Sequence, residues 1–233
     1  MQAVILAAGR GVRMQPLTYE IPKPMLRVQG KPILAYTIDL LPAEIDEIII
    51  VVGYLGDQIK EYFGQDYNGR KVVYVEQQEL LGTGHALSLC RDILHDRFLV
   101  LMGDDIYSAA DIPRCLEYEQ SILAKEVTAE EKRNYGAFEI NDKGDLIGIT
   151  EKELPTGDKF LVNTGLYVLD MTFFDYDLVS IKDGKEFGLP QTLVNVAKDH
   201  PIRIVKTDYW LPIGYPDDIE KAEIYLRKNG VIR

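Results

Sequence analysis

The sequence predicts an open α/β sheet flanked by helices, and two features of its first half carry that prediction. Aliphatic runs without polar alternation occur at residues 3–7, 48–52 and 98–102, the pattern of a strand covered by helices on both faces. Each run ends in a glycine-bearing loop, and the order strand, loop, helix recurs along the chain. Ligands of such sheets lie beyond the carboxyl ends of the strands, so the loops after these runs are where chemistry is expected.

The other elements follow from local signals. Residues 32–41 read as a helix, with Pro32 in its first turn and Ile33, Tyr36, Ile38, Leu40 and Leu41 as apolar contacts. A helix over 55–63 stops at Gly64, a strand spans 71–75, and Thr83 is the expected cap of a helix running to about 94. In the second half Pro113 starts a helix to about 121, a strand follows over 122–127, and 129–134 is a charged loop. Residues 136–140 and 146–151 flank Asn141-Asp142-Lys143-Gly144, a hairpin signal. The polar stretch 153–159, with Pro155 and Gly157, is a candidate lid. A strand at 161–169, a helix from Pro190 to about 199, a strand at 202–206 and a helix from Pro216 to Gly230 complete the chain. No linker and no internal repeat interrupts it, so residues 1–233 are expected as one domain with halves 1–110 and 111–233.

Composition narrows the function. A chain of 233 residues with 46% hydrophobic and 27% charged residues can bury a sizeable core. Its 26 basic and 37 acidic side chains leave a net charge of −11. That balance argues against binding a nucleic-acid polymer or an anionic membrane, and makes a localised cationic clamp more meaningful. No stretch approaches the length of a membrane span and no signal peptide is visible, so a cytoplasmic location is expected. Cys90 and Cys115 are isolated, without metal spacing, and read as small core residues.

The most informative stretch is Leu6-Ala7-Ala8-Gly9-Arg10-Gly11-Val12-Arg13, continuing to Pro22-Lys23-Pro24-Met25. Glycine lets a backbone turn sharply and aim successive N–H groups at an anion. Arg13 and Lys23 follow on a segment without apolar periodicity, which suggests a polyphosphate held by backbone donors and clamped by two cations. A dinucleotide fingerprint fails because Met14 stands where its third glycine belongs, and the Walker Gly-Lys-Ser/Thr is absent. A plain glycine-rich turn remains the alternative for Gly-x-Gly by itself.

The composite Gly9-x-Gly11-x-Arg13-x-x-Pro16-Leu17-Thr18, then Pro22-Lys23-Pro24-Met25 and Gly30-Lys31-Pro32, resembles the signature of the sugar-1-phosphate nucleotidyltransferases. Those enzymes join a sugar phosphate to a nucleoside triphosphate and release pyrophosphate. The resemblance spans essentially the whole chain and implies a Rossmann-like mixed sheet with a small inserted β-hairpin lobe for the sugar. It places Ala8, Gly9 and Gly11 against the nucleotide, with Arg13 and Lys23 stabilising the leaving pyrophosphate. Val12 departs from the usual threonine, losing a hydroxyl but keeping the N–H.

Gln77-Gln78-Glu79-Leu80-Leu81-Gly82-Thr83-Gly84-His85-Ala86 resembles the base-reading loop of the N-acetylglucosamine-1-phosphate uridylyltransferases. The resemblance implies that Gln77 reads uracil, which a carboxamide can do with one donor and one acceptor. Gly82 and Thr83 lie in the same nucleotide loop, and Gly82 allows backbone contact with the base. His85 reads as an ordinary helix residue. UTP is the first expectation and TTP the next, since the two pyrimidine edges differ by a methyl.

Gly103-Asp104-Asp105 ends an apolar strand, and the family favours Asp104 as the Mg²⁺ ligand. Asp105 would then point the other way and be structural. In the sugar half the resemblance assigns Tyr135, Gly136, Glu151, Asn163 and Thr164 to the sugar and Lys152 to its phosphate. Taken alone these are ordinary surface charges and strand polar groups, and Glu153 departs from the usual proline. A second metal ligand is commonly found in Trp-x-Asp-x-Gly, but the matching segment is Trp210-Leu211-Pro212-Ile213-Gly214. Asp104 is therefore expected as the lone firm ligand. No left-handed β-helix repeat occurs in the sequence, so an attached acetyltransferase domain is not expected.

These readings predict transfer of a nucleotidyl group from an NTP to a sugar-1-phosphate, with small-molecule partners. A non-catalytic nucleotide-sugar sensor is the alternative from another class. A glycosyltransferase fits less well, because its Asp-x-Asp metal motif is missing.

Overall fold

The computed structural model describes residues 1–128, 131, 135–150 and 158–228. Its centre is a ten-stranded mixed sheet. From one edge the strands run Leu146–Thr150, Ala137–Ile140, Lys159–Asp170, Arg97–Met102, Gln2–Leu6, Glu47–Val52, Arg70–Glu76 and Asp66–Tyr67. Ser121–Thr128 branches from Lys159–Asp170 and carries Arg203–Thr207 on its other side. Gln2–Leu6 lies between Glu47–Val52 and Arg97–Met102, parallel to both. The sheet therefore grows outward from its first strand in both directions, and a crevice opens beyond that strand's carboxyl end.

The unalternating aliphatic runs are explained by what covers them. Alternate residues of each strand point to opposite faces. Ala3, Ile5, Ile48, Ile50, Leu99 and Leu101 pack on one face with Leu34, Ala35 and Ile38 of helix Ile33–Asp39 and Ile59 and Phe63 of helix Gly56–Phe63. Val4, Leu6, Ile49, Val51, Phe98 and Val100 pack on the other with Ala86 and Leu87 of helix Thr83–Ser88 and Leu193 and Val196 of helix Leu189–Val196. Each Val, Leu, Ile or Phe among them contributes about 1.5–3 kcal/mol by leaving water. Helix Pro216–Lys228 returns from the far end of the chain and packs Ala222 and Leu226 against Met14, Leu26, Val28 and Ile33, which fixes the segment after the glycine loop.

The expected hairpin forms, and it extends the main sheet at its edge through Lys159–Asp170. That strand starts two residues earlier than its aliphatic core suggests, because Lys159 and Phe160 pair with Thr128 and Val127. Two helices differ from expectation. The helix expected to run to about residue 94 is only Thr83–Ser88, followed by a 3₁₀ turn at Arg91–Ile93. Its N-cap is Gly82, and the Thr83 hydroxyl instead accepts the Leu189 N–H at 3.1 Å, tying two helices together. The helix expected from Pro113 begins at Asp111 and ends at Leu116, since the following residues turn into the buried strand Ser121–Thr128. Most of the expected loop at 129–134, residues 153–157 of the candidate lid, and Gly230 lie outside the described residues. No helix among the described residues is long and apolar enough to cross a membrane.

Candidate active site

A cleft of about 840 Å³ opens at the carboxyl ends of the central strands. The glycine loop forms its floor. Gly11 has φ +60°, and a Cβ there would come within 3.0 Å of both Lys23 Cβ and Thr18 Cγ2. The Thr18 hydroxyl donates to the Gly11 carbonyl at 2.9 Å, so the loop is closed by the threonine of its own motif. Gly9 is different: a Cβ there meets nothing within 4 Å. Arg13 projects from the 3₁₀ turn Val12–Met14, its guanidinium 5.3 Å from the centre of the Tyr215 ring.

Lys23 begins the 3₁₀ turn Lys23–Met25, held by Pro22 before it and Pro24 after it. Its side chain is 10% exposed and its Nζ pairs with Asp104 Oδ2. Asp104 follows strand Arg97–Met102 with its carboxylate 32% exposed at the cleft. Asp105 points the other way, as expected: it is buried and its Oδ2 accepts the Trp210 indole N–H at 3.2 Å. Burial raises its carboxyl above the ordinary aspartate range, and the neighbouring Asp104 charge adds to the rise. Trp210 sits on Trp210–Pro212, which pairs antiparallel with Asp105–Tyr107 and brings Pro212 opposite Asp105.

Gln77 follows Arg70–Glu76 and is buried at the cleft wall. Its side-chain nitrogen lies 3.0 Å from the Gly82 carbonyl and 3.0 Å from His85 Nδ1. Gly82 has φ +92°, and a Cβ there would stand 2.5 Å from the Phe187 carbonyl oxygen. The glycine is therefore demanded by the short hairpin Ser180–Ile181 and Glu186–Phe187, whose Phe187 N–H donates to the Leu81 carbonyl at 2.7 Å.

Among the cleft residues of the second half, the Tyr135 ring meets Trp210 edge-on at 5.0 Å. Asn163 donates from Nδ2 to the Tyr167 hydroxyl at 2.7 Å, and its Oδ1 accepts the Gly165 N–H at 3.0 Å. Its backbone N–H donates to the Gly136 carbonyl at 3.2 Å. The Thr164 hydroxyl turns into the core and donates to the Leu123 carbonyl at 2.8 Å.

A family model described as Nucleotidyl transferase matches residues 2–229. The chain belongs to the nucleotidyl transferase family. It is 35% identical over 229 residues to the bifunctional protein GlmU of Methanocaldococcus jannaschii, covering 97% of this chain and 54% of GlmU. The chain thus spans about half the length of that relative. It is 33% identical over 239 residues to AglF of Haloferax volcanii, named a UTP–glucose-1-phosphate uridylyltransferase, covering 98% of both. Among solved structures, a UDP-glucose pyrophosphorylase complexed with UDP-glucose superposes with TM-score 0.82 at 22% identity, covering 98% of both chains, which shows the shared fold.

The nucleotidyl transferase fold gathers most of the residues singled out in the sequence. Ala8, Gly9, Gly11, Arg13, Lys23, Gln77, Gly82, Thr83, Asp104, Tyr135, Asn163 and Thr164 all line the cleft. Gly136 stands behind Asn163, and Glu151 and Lys152 lie outside the described residues. Sequence reasoning missed Tyr215 and Lys182 on the cleft wall, and the contact of His85 with Gln77. Local pattern carries no signal for Lys182, because its place depends on how a short hairpin folds over the loop before helix Thr83–Ser88. No group of three metal-binding side chains occurs among the described residues. The Asp104 carboxylate, partly exposed in the cleft, is the kind of hard oxygen donor that could hold a divalent cation.

Proposed function

We propose that this chain transfers a nucleotidyl group from an NTP, with UTP the first choice, to a sugar-1-phosphate and releases pyrophosphate. The observation that supports this reading is the convergence of the glycine loop, Arg13, the Lys23–Asp104 pair and Gln77 on one cleft. An oxygen of the sugar phosphate attacks the α-phosphorus in line, the bond to the bridging oxygen breaks, and the electron pair leaves with pyrophosphate. A phosphate monoester is already ionised, so no protein nucleophile is needed, and catalysis is positioning plus charge neutralisation.

In this reading, backbone N–H groups of the glycine loop bind the triphosphate. Arg13 and Lys23 neutralise the departing pyrophosphate. Gln77 meets the base, and Tyr135 and Asn163 border the sugar. Glu151 and Lys152 take the sugar hydroxyls and the attacking phosphate. Asp104 would hold Mg²⁺, which when bound supplies positive charge to the triphosphate oxygens.

The test is pyrophosphate release with UTP and a panel of sugar-1-phosphates, repeated with TTP, CTP, GTP and ATP. Release that depends on both substrates is expected. Uridine-nucleotide binding without release across the panel would return the sensor reading.

A further inference from the structure

His85 has no assigned part in the proposed reaction, yet it completes the environment of Gln77. The Gln77 side-chain nitrogen lies 3.0 Å from the Gly82 carbonyl oxygen and 3.0 Å from His85 Nδ1. A carbonyl only accepts, so the atom facing Gly82 is the NH₂ group, which settles which way the carboxamide lies. That group carries two hydrogens. With one on Gly82, the other goes to His85, whose Nδ1 must then accept and whose proton sits on Nε2. Both donors are spent, and the carboxamide has only its oxygen, an acceptor, to offer a ligand. Gly82 alone would leave the amide plane loose, because the last torsion of a glutamine is broad. The second contact, from helix Thr83–Ser88, fixes the plane.

We propose that His85 is a positioning residue for base selection: it holds Gln77 so that its oxygen faces a base carrying a ring N–H, as uracil and thymine do. Cytosine N3 is an acceptor and finds no donor there. This rests on the reading of the cleft as a nucleotide site with Gln77 at the base. A site built to hydrogen-bond one edge rejects the wrong edge by leaving a buried polar group unpaired.

The experiment compares His85→Ala and His85→Asn with the wild-type protein, using UTP and CTP in pyrophosphate release and in calorimetric binding. His85→Ala should lower the UTP-over-CTP preference about five- to tenfold, the worth of one fixed hydrogen bond. The change should appear in KM, with kcat at saturating UTP within about twofold. His85→Asn should restore the preference, because its side-chain oxygen can accept from Gln77. A His85→Ala protein that keeps the preference, or an Asn variant that loses it equally, would overturn the proposal. Nitrogen NMR of the wild-type protein needs no variant: the Nε2–H tautomer is expected, and an Nδ1–H tautomer overturns the assignment. Wild-type protein that binds UTP over CTP without releasing pyrophosphate would sink the enzyme reading alone, and the His85 comparison is then read from dissociation constants. Equal binding of UTP and CTP would sink base selection itself.

Discussion

Lys23 and Asp104, 81 residues apart in sequence, form an ion pair at the mouth of the glycine loop. Each neutralises the other. In the proposed reaction a triphosphate would take the lysine and a cation the aspartate, so binding would exchange one partner for another without baring an unpaired buried charge. This pairing explains how an acidic protein can keep a nearly buried lysine in place before any anion arrives.

Replacing Lys23 with alanine should therefore act twice. Turnover should fall about 10²–10³-fold, the usual cost of removing one charged donor from a developing anion. The Asp104 carboxylate also loses its counter-charge beside the buried Asp105, so melting temperature should fall as well. Pyrophosphate release and thermal denaturation measure the two effects. Undiminished turnover would remove Lys23 from the mechanism.

The two glycines of the loop should respond differently to alanine. Gly11→Ala puts a side chain into a left-handed backbone and against Lys23 and Thr18, so it should destabilise the fold by about 1–2 kcal/mol or more. Gly9→Ala meets no protein atom within 4 Å and should melt like the parent. If the space above Gly9 belongs to phosphate, that variant should bind UTP more weakly in calorimetry. Unchanged affinity would place the triphosphate elsewhere.

Pro212 offers a gain-of-function test. It lines the cleft and stands opposite Asp105 in the pairing of Trp210–Pro212 with Asp105–Tyr107. Pro212→Asp should add a second carboxylate near Asp104 and lower the Mg²⁺ concentration needed for half-maximal activity. A variant with the same or weaker Mg²⁺ dependence would show that position 212 does not face the ion.

The two thiols should be silent. Burial pushes Cys90 and Cys115 up to about 12, so neither forms thiolate at neutral pH. A thiol reagent at pH 8 should label neither in the folded protein and both after unfolding. The sign of the linked pH effect follows. An unfolded thiol loses its proton near pH 9 while the folded one keeps it toward 12, so this contribution to stability falls as pH rises through that interval. Fast labelling of the native protein would mean that a thiol is not enclosed.

The sequence alone determined the central sheet and most of the cleft. Ile48 to Val52 reads as a strand because both its faces are covered, and the glycines and cations after Leu6 are contiguous, so their chemistry is local. Asp105 could be set apart from Asp104 by the alternation of a strand. What only the tertiary structure decided are relationships between distant segments. Thr83 has the chemistry of a helix cap, but the arrival of Leu189 gives its hydroxyl another donor. Thr164 has the chemistry of a sugar contact, but the Leu123 carbonyl behind it takes its hydrogen. The pairing of Lys23 with Asp104 and of Gln77 with His85 likewise depends on which loops the sheet order sets side by side. Side-chain periodicity reports which face of an element is covered, and it is silent on which polar atom will be there to meet a hydroxyl, an ammonium or an amide.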